Sequence, residues 1–285
     1  MNMSNIAFEE LATQYPATWA QNDTNTNTTW AGISLHQLIT YYADSGNLNP
    51  TILSLGYNVT IVGSDGYSCV FNSTRIETNP NQIIVANQAN NTELTDQYYP
   101  LTLTGSNLTR SEGVKSISQI QINILLPNNM TLTIKGANGT TITLNRDDIA
   151  ALPSTTGTAG RNTHGSIQAV GNYTGISILD LVNLVGGLPN NGYYVNTNSE
   201  DNHAQALLYS QIISGTGFAT FDPLTNEPVT ATQPITPILA YAFNGNLLSA
   251  SSDGHFRLVF ISPEGLLTEA SIWSKFVIEV TVIAN

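Results

Sequence analysis

One short pattern occurs twice in this chain and constrains its architecture more than any other feature. Trp30-Ala31-Gly32-Ile33-Ser34-Leu35 and Tyr173-Thr174-Gly175-Ile176-Ser177-Ile178 each run aromatic, x, Gly, Ile, Ser, aliphatic. Leu35, Leu38, Ile39 and Tyr42 then follow at i, i+3, i+4 and i+7, and Ile178, Leu181, Val182 and Val185 repeat that spacing. Both stretches are expected to open an amphipathic helix. Ser34 and Ser177 are placed to cap these helices, with Gln37 and Asp180 three residues on.

Further matches keep one order along the chain. The Leu-Pro helix of Asp147–Pro153 repeats a short helix between Glu9 and Pro16. Ile238-Leu239-Ala240-Tyr241 with Asn244-Gly245 matches Ile84-Val85-Ala86-Asn87 with Asn90-Asn91. Arg257–Phe260 matches Pro100–Leu103, and Ile272–Val280 matches Val114–Ile122. Conserved order over such a length is the signature of an internal duplication. The boundary is expected near 126, giving units 1–126 and 127–285. The second copy has an early strand, Met130–Lys135, before its first helix, and the first copy has at most seven residues there. A neighbouring subunit supplying that strand would make a homo-oligomer by strand addition.

Between these landmarks the pattern is mostly β. Tyr57, Val59 and Ile61 alternate with polar residues, and Asp65-Gly66 sits in a hairpin turn. Cys69 is expected to alternate into the core with Phe71. Tyr15–Thr29 and Ser154–Asn172 read as polar loops. The fold class is α+β, two tandem copies of a mixed, largely antiparallel sheet domain with short helices.

Composition removes several functions. Only 10% of the residues are charged, against roughly 25% in an ordinary soluble chain. The net charge is −12 with eight basic residues, so there is no cluster of the kind that displaces counterions from nucleic acid or anionic lipid. The chain has one cysteine, so no intrachain disulfide and no multi-cysteine metal site is possible. No apolar run is long enough to span a membrane. Sequons at Asn2, Asn22, Asn27, Asn58, Asn72, Asn90, Asn107, Asn129, Asn138 and Asn172 favour an extracellular or cell-surface location with N-glycosylation. The opening Met1-Asn2-Met3-Ser4 is no signal peptide, so a leader is absent or removed.

The order of motifs resembles the molybdopterin-binding domain of the sulfite oxidase type. The second copy carries Leu152-Pro153, Tyr173-x-Gly175-Ile176-x-Ile178-x-x-Leu181, Ala240-Tyr241…Asn244-Gly245…Leu248, Gly254-x-x-Arg257-Leu258-Val259 and Trp273-x-Lys275. The first carries Trp30-x-Gly32-Ile33-x-Leu35 and Asp65-Gly66-Tyr67. The resemblance implies a metal-binding cysteine between the Leu-Pro helix and the Gly-Ile helix, and basic side chains for the pterin phosphate. Neither Tyr15–Thr29 nor Ser154–Asn172 contains cysteine, and Asn or Thr cannot replace a soft thiolate on molybdenum or tungsten. Arg161 and His164 are the residues of the second loop that match a phosphate-binding role.

Other candidates have plainer readings. His36 is expected to be solvated. Glu200, Asp201 and His203 form a polar turn or a cation site. Glu9-Glu10 and Asp147-Asp148 are early-helix acids favoured by the helix dipole. Arg257 is a packed or ion-paired strand residue, and Trp30 and Trp273 occupy core positions. The leading expectation is a non-catalytic extracellular or cell-envelope scaffold or recognition protein from a prokaryote. It has no catalytic residues, no metal ligands and no cofactor, and its partner is an envelope protein or a glycan. A divergent molybdopterin-dependent oxidoreductase and a carbohydrate- or cation-binding surface module are the alternatives.

Overall fold

In a computed structural model the chain is described over residues 5–22 and 27–284. Met1–Ser4, with the sequon at Asn2, and residues 23–26 of the Tyr15–Thr29 segment lie outside that description. The chain divides into two compact units, Met1–Leu125 and Leu126–Asn285. The fold is mixed α+β, mostly antiparallel, with short helices.

The first unit opens with α1 (Asn5–Gln14), β1 (Ala17–Asn22), β2 (Asn27–Ser34), α2 (Leu35–Tyr42) and α3 (Pro50–Ser54). It continues through β3 (Tyr57–Gly63), β4 (Ser68–Asn72), α4 (Ser73–Thr78), β5 (Ile84–Ala89), β6 (Thr92–Glu93), β7 (Thr102–Thr104) and β8 (Ile117–Ile124). One sheet runs β1-β2-β5-β6 with β7 also on β5, and a second runs β4-β3-β8. Tyr57, Val59 and Ile61 of β3 are buried and the residues between them half-buried, as strand alternation demands. They pack with Ile33, Leu35, Leu38, Ile39 and Phe71 in one core. Trp30, Ile84, Ala86 and Leu94 form a smaller core.

The second unit opens with β9 (Leu132–Lys135), β10 (Thr141–Leu144), α5 (Arg146–Ala151), β11 (Thr155–Thr163), β12 (Ser166–Ser177) and α6 (Ile178–Asn183). Then come β13 (Tyr193–Ser199), β14 (Ala204–Leu208), α7 (Tyr209–Ile213), β15 (Thr220–Phe221), β16 (Thr236–Phe243), β17 (Asn246–Leu247), β18 (Arg257–Ile261), β19 (Leu267–Glu269) and β20 (Val277–Ala284). Its sheets run β15-β19-β11-β12-β16-β17, with β18 on β16, and β10-β9-β20-β13-β14. The pairs β11–β19 and β9–β20 are parallel. In the first unit β8 is a sheet edge, whereas its counterpart β20 carries β9 and then β10 beyond it.

Two expectations need correction. Trp30–Ser34 and Tyr173–Ser177 do not begin helices: they end strands β2 and β12, and the helices start at Leu35 and Ile178. The segments read as polar loops are antiparallel hairpins, Ala17–Asn22 against Asn27–Gly32 and Thr155–Thr163 against Ser166–Gly175. Both are rich in Thr and Asn, and most of their positions before Trp30 and Tyr173 are half-buried or exposed and not aliphatic, so they lack the apolar alternation that marks a half-buried strand. Their β-branched threonines were the available signal.

The junction in each unit is built in the same way. A bulge falls between Ala31 and Gly32 where β2 meets β5, and between Thr174 and Gly175 where β12 meets β16. A Cβ on Gly32 would lie 2.1 Å from the Val85 carbonyl oxygen, and one on Gly175 would lie 2.1 Å from that of Leu239. Only glycine permits that approach. Ser34 Oγ accepts the Gln37 amide at 3.1 Å, and Ser177 Oγ accepts the Asp180 amide at 3.0 Å, so each strand ends in a helix cap. Asparagine ties the neighbouring turn back. The Thr29 amide donates to Asn90 Oδ1 and the Asn172 amide donates to Asn244 Oδ1, both at 2.9 Å.

Gly32→Ala and Gly175→Ala are each expected to lower the stability of their unit by about 3 kcal/mol, because a backbone carbonyl cannot rotate away from the added methyl. Gly192, where the nearest atom to an added Cβ is the Asn190 side-chain oxygen at 3.0 Å, serves as control. Its alanine variant should change stability by no more than about 0.5 kcal/mol in the same urea titration.

Candidate functional site

Charge is scarce in this chain, so a buried charge marks a position that the fold has gone out of its way to hold. Arg257 opens β18 and pairs across the sheet with Ala240 of β16. It is 6% exposed. Its Nη1 donates to Asp253 Oδ1 at 3.0 Å, and its guanidinium carbon stands 5.2 Å from the centroid of the Trp273 ring, a cation–π contact. Arg257 Nε and Nη2 are buried and have no hydrogen-bond partner.

The surroundings are built from four elements. Gly254, at φ 76°, has Phe276 Cα 2.6 Å from where a Cβ would stand, so the turn before β18 closes tightly. Asp253 also receives Lys275 Nζ at 3.3 Å. Burial alone would raise its carboxyl, but the Ser252 hydroxyl, Lys275 and Arg257 outweigh that and hold it below its ordinary value. Tyr173, from the end of β12, meets Trp273 edge-on at 5.7 Å and packs at a tilt on Phe243 at 4.6 Å between ring centroids. Burial raises its hydroxyl against the opposing pull of Arg257 and Arg161. The same burial lowers Arg257, the positive charge of Arg161 adds to that, and Tyr173 and Asp253 work against it.

Arg161 therefore belongs to this neighbourhood. It sits just past the bulge in β11, half-buried, with Nη2 donating to Gln168 Oε1 at 3.2 Å and Nε buried without a partner. Between them the two guanidinium groups hold three buried nitrogens without a hydrogen-bond partner. His164 is elsewhere. It is exposed in the β11–β12 turn at φ 48° and lines a separate concavity of about 540 Å³ with Asn162, Phe221 and Glu269, to which Arg161 does not contribute. Arg161 and His164 do not share a site: the His164 concavity is lined without Arg161.

The remaining candidates have structural partners. Asp148 accepts the Asn145 amide in a capping box, and Asp147 pairs with Arg146 at 2.9 Å. Glu9 and Glu10 are exposed on α1, and His36 is half-buried on α2. The His203 amide donates to Asp201 Oδ1 at 3.1 Å in an exposed turn. Among the described residues no three His, Cys, Asp or Glu side chains converge on a point that suits a metal. Cys69 shares the face of Phe71 but is only half-buried, with its sulfur 3.8 Å from both the Tyr67 hydroxyl and the Ser111 carbonyl. Trp30 and Trp273 are buried. No described helix is long and apolar enough to cross a membrane. Several sequon asparagines make hydrogen bonds within the fold: Asn72 caps α4, Asn138 accepts the Thr140 amide, and Asn90 and Asn172 accept from Thr29 and Thr158.

No family model matches the chain, and no curated protein matches it. Among solved structures it is similar to the sulfane dehydrogenase SoxCD from Paracoccus pantotrophus, with 11% identity over 92% of this chain and 73% of that one. The TM-score is 0.31, a loose likeness.

Asp253→Ala is expected to destabilise the second unit by about 3–5 kcal/mol, since it leaves Arg257 buried with no carboxylate. Adding Arg257→Met should restore most of the loss, because a buried apolar chain needs no counter-charge. Urea unfolding of the single and double variants measures both.

Proposed function

We propose that this chain is a non-catalytic recognition or scaffold protein of the cell exterior, made of two degenerate molybdopterin-domain-like units related by duplication. The observation that carries the reading is the pair of hairpins before the two helix starts. They occupy the position where the resemblance requires a metal-binding thiolate, and neither contains one: the single cysteine, Cys69, stands on β4. The metal end of a molybdopterin cofactor thus does not fit the residues present. The shared glycine approach, serine cap and asparagine tie at both junctions support the duplication. The sequons support the exterior location, and the open edge of β8 supports assembly by strand addition.

A second reading is favoured by one observation. Arg257 and Arg161 present buried nitrogens without partners, and the phosphate end of a pterin would satisfy them. On that reading the second unit is a divergent molybdopterin-dependent oxidoreductase that binds the cofactor through its anion.

Protein produced with added molybdate or tungstate separates the two. The recognition reading expects less than about one-tenth of an equivalent of either metal by elemental analysis, and no fluorescent pterin after oxidation and denaturation. Stoichiometric metal with released pterin would overturn it.

A further inference from the structure

We propose that the first unit binds an acidic sugar chain, of the uronate class, in a cleft on its β1-β2 sheet. This names a ligand for the recognition reading above and rests on it. The cleft has a volume of about 610 Å³, within the range of sites that hold small molecules. Trp19, Gln21, Thr28, Tyr98, Arg110 and Lys115 line it, together with the buried edge of Trp30.

Charge is the first argument. Residues 1–125 contain nine acidic side chains and three basic ones, Arg75, Arg110 and Lys115. Arg75 is committed to Glu112 at 2.6 Å, whose carboxyl that bond pulls down to about 2. The other two basic residues both line the cleft, Lys115 with its Nζ donating to Gln97 Oε1 at 2.9 Å, and among the described residues no acidic side chain does. Arg110 is exposed and has no ion-pair partner among the described residues. In a unit of negative net charge this is the place where a carboxylate is drawn in rather than repelled, and the Arg110 fork suits it.

The aromatic geometry is the second argument. Trp19 stands directly across the β1–β2 pair from Trp30 and is half-buried. Trp30 Nε1 donates to Gln21 Oε1 at 3.1 Å, which fixes that amide and leaves its NH₂ free to donate. Tyr98 is already covered: Lys115 Nζ lies 4.8 Å over its ring, and Trp30 meets it edge-on at 5.4 Å. Trp19, half-buried against the core of Trp30, Ile84, Ala86 and Leu94, is therefore the aromatic side chain of the cleft with neither a cation over it nor a ring pair among the described residues, and it stands beside amide, hydroxyl and cationic donors. A sugar ring needs one aromatic face for its C–H side and hydrogen-bond donors around its rim, and a uronate adds the charge. A nucleobase held between two rings would need a second open face.

The test is calorimetric titration of the intact chain with tetragalacturonate, its fully methyl-esterified tetramer, inorganic phosphate and a mononucleotide at one ionic strength. Saturable binding of tetragalacturonate is expected, with the ester about tenfold weaker. Arg110→Gln and Trp19→Ala should each weaken binding about tenfold or more. Arg146→Gln, which removes a charge from the second unit, should change it by less than about twofold. Melting curves establish that each variant is folded; Arg110, being exposed, keeps the test decisive if Trp19→Ala unfolds. The proposal fails if the folded chain does not bind the tetramer, if the ester binds equally, or if Arg110→Gln binds as tightly as the parent. It fails equally if phosphate or the nucleotide displaces the sugar. Such a failure, in protein free of metal and pterin, would remove the ligand and leave the recognition reading in place.

Discussion

A glycine laid against a neighbouring carbonyl is the contact on which each unit turns. At Gly32 and Gly175 the strand comes so close to Val85 and Leu239 that there is no room for a methyl group. The bulge at that point shifts the register and lets the next two residues, Ile and Ser, take different tasks. Ile33 and Ile176 are fully buried, while Ser34 and Ser177 turn their hydroxyls onto the next helix. Strand, cap and helix are thus one continuous device. The helices it launches are short and gain little from intrinsic propensity; burial of Leu35, Leu38 and Ile39, and of Ile178, Leu181 and Val182, holds them in place.

Electrostatics take an unusual form in a chain with so few charges. Most of the polar surface is Asn, Thr and Ser, and these residues cap helices and close turns rather than form ion pairs. The cations that remain are correspondingly informative. In the second unit Arg257 is buried on Trp273 with part of its guanidinium unsatisfied, and Arg161 shares its environment. In the first unit the strand position equivalent to Arg257 by register is Thr102, two residues on from the Pro100 that the sequence match set against it, and the Thr102 hydroxyl donates to the Val114 carbonyl at 3.1 Å. An internal threonine bond occupies that position, and the exposed Arg110 of this unit lines the cleft beside Trp19, with Lys115 held there by Gln97 and Tyr98.

The parts of this architecture that were legible in the sequence are those with a strong local period. The alternation of β3, the Asp65-Gly66 turn and the apolar faces of α2 and α6 all follow from spacing, and Ser34 and Ser177 were readable as caps. The β-hairpins before the helices were not, because strands of threonine, asparagine and small residues, half-buried at most of their inward positions, carry no apolar rhythm. That the charge of Arg161 is felt at Arg257 was hidden for a different reason. Almost a hundred positions separate them, and they share a sheet only through the β11-β12-β16-β18 order. Arg257 itself was recognisable as a packed, ion-paired residue, but its unsatisfied nitrogens become visible only once Asp253 is seen to engage one of three. Cys69 was placed on the right face and too deep, since β4 is the edge of its sheet and covers only Phe71 fully.

Native-state hydrogen exchange of the intact chain tests the central claim, that the strand-to-helix junctions anchor the two units. The Leu35 amide, which donates to the Ile83 carbonyl at 2.9 Å, and the amides that close the ends of β2 and β12 are predicted to exchange as slowly as those of the central strands β3 and β13, through global unfolding of their unit. Exchange of the junction amides through local opening, well ahead of β3 and β13, would contradict the account.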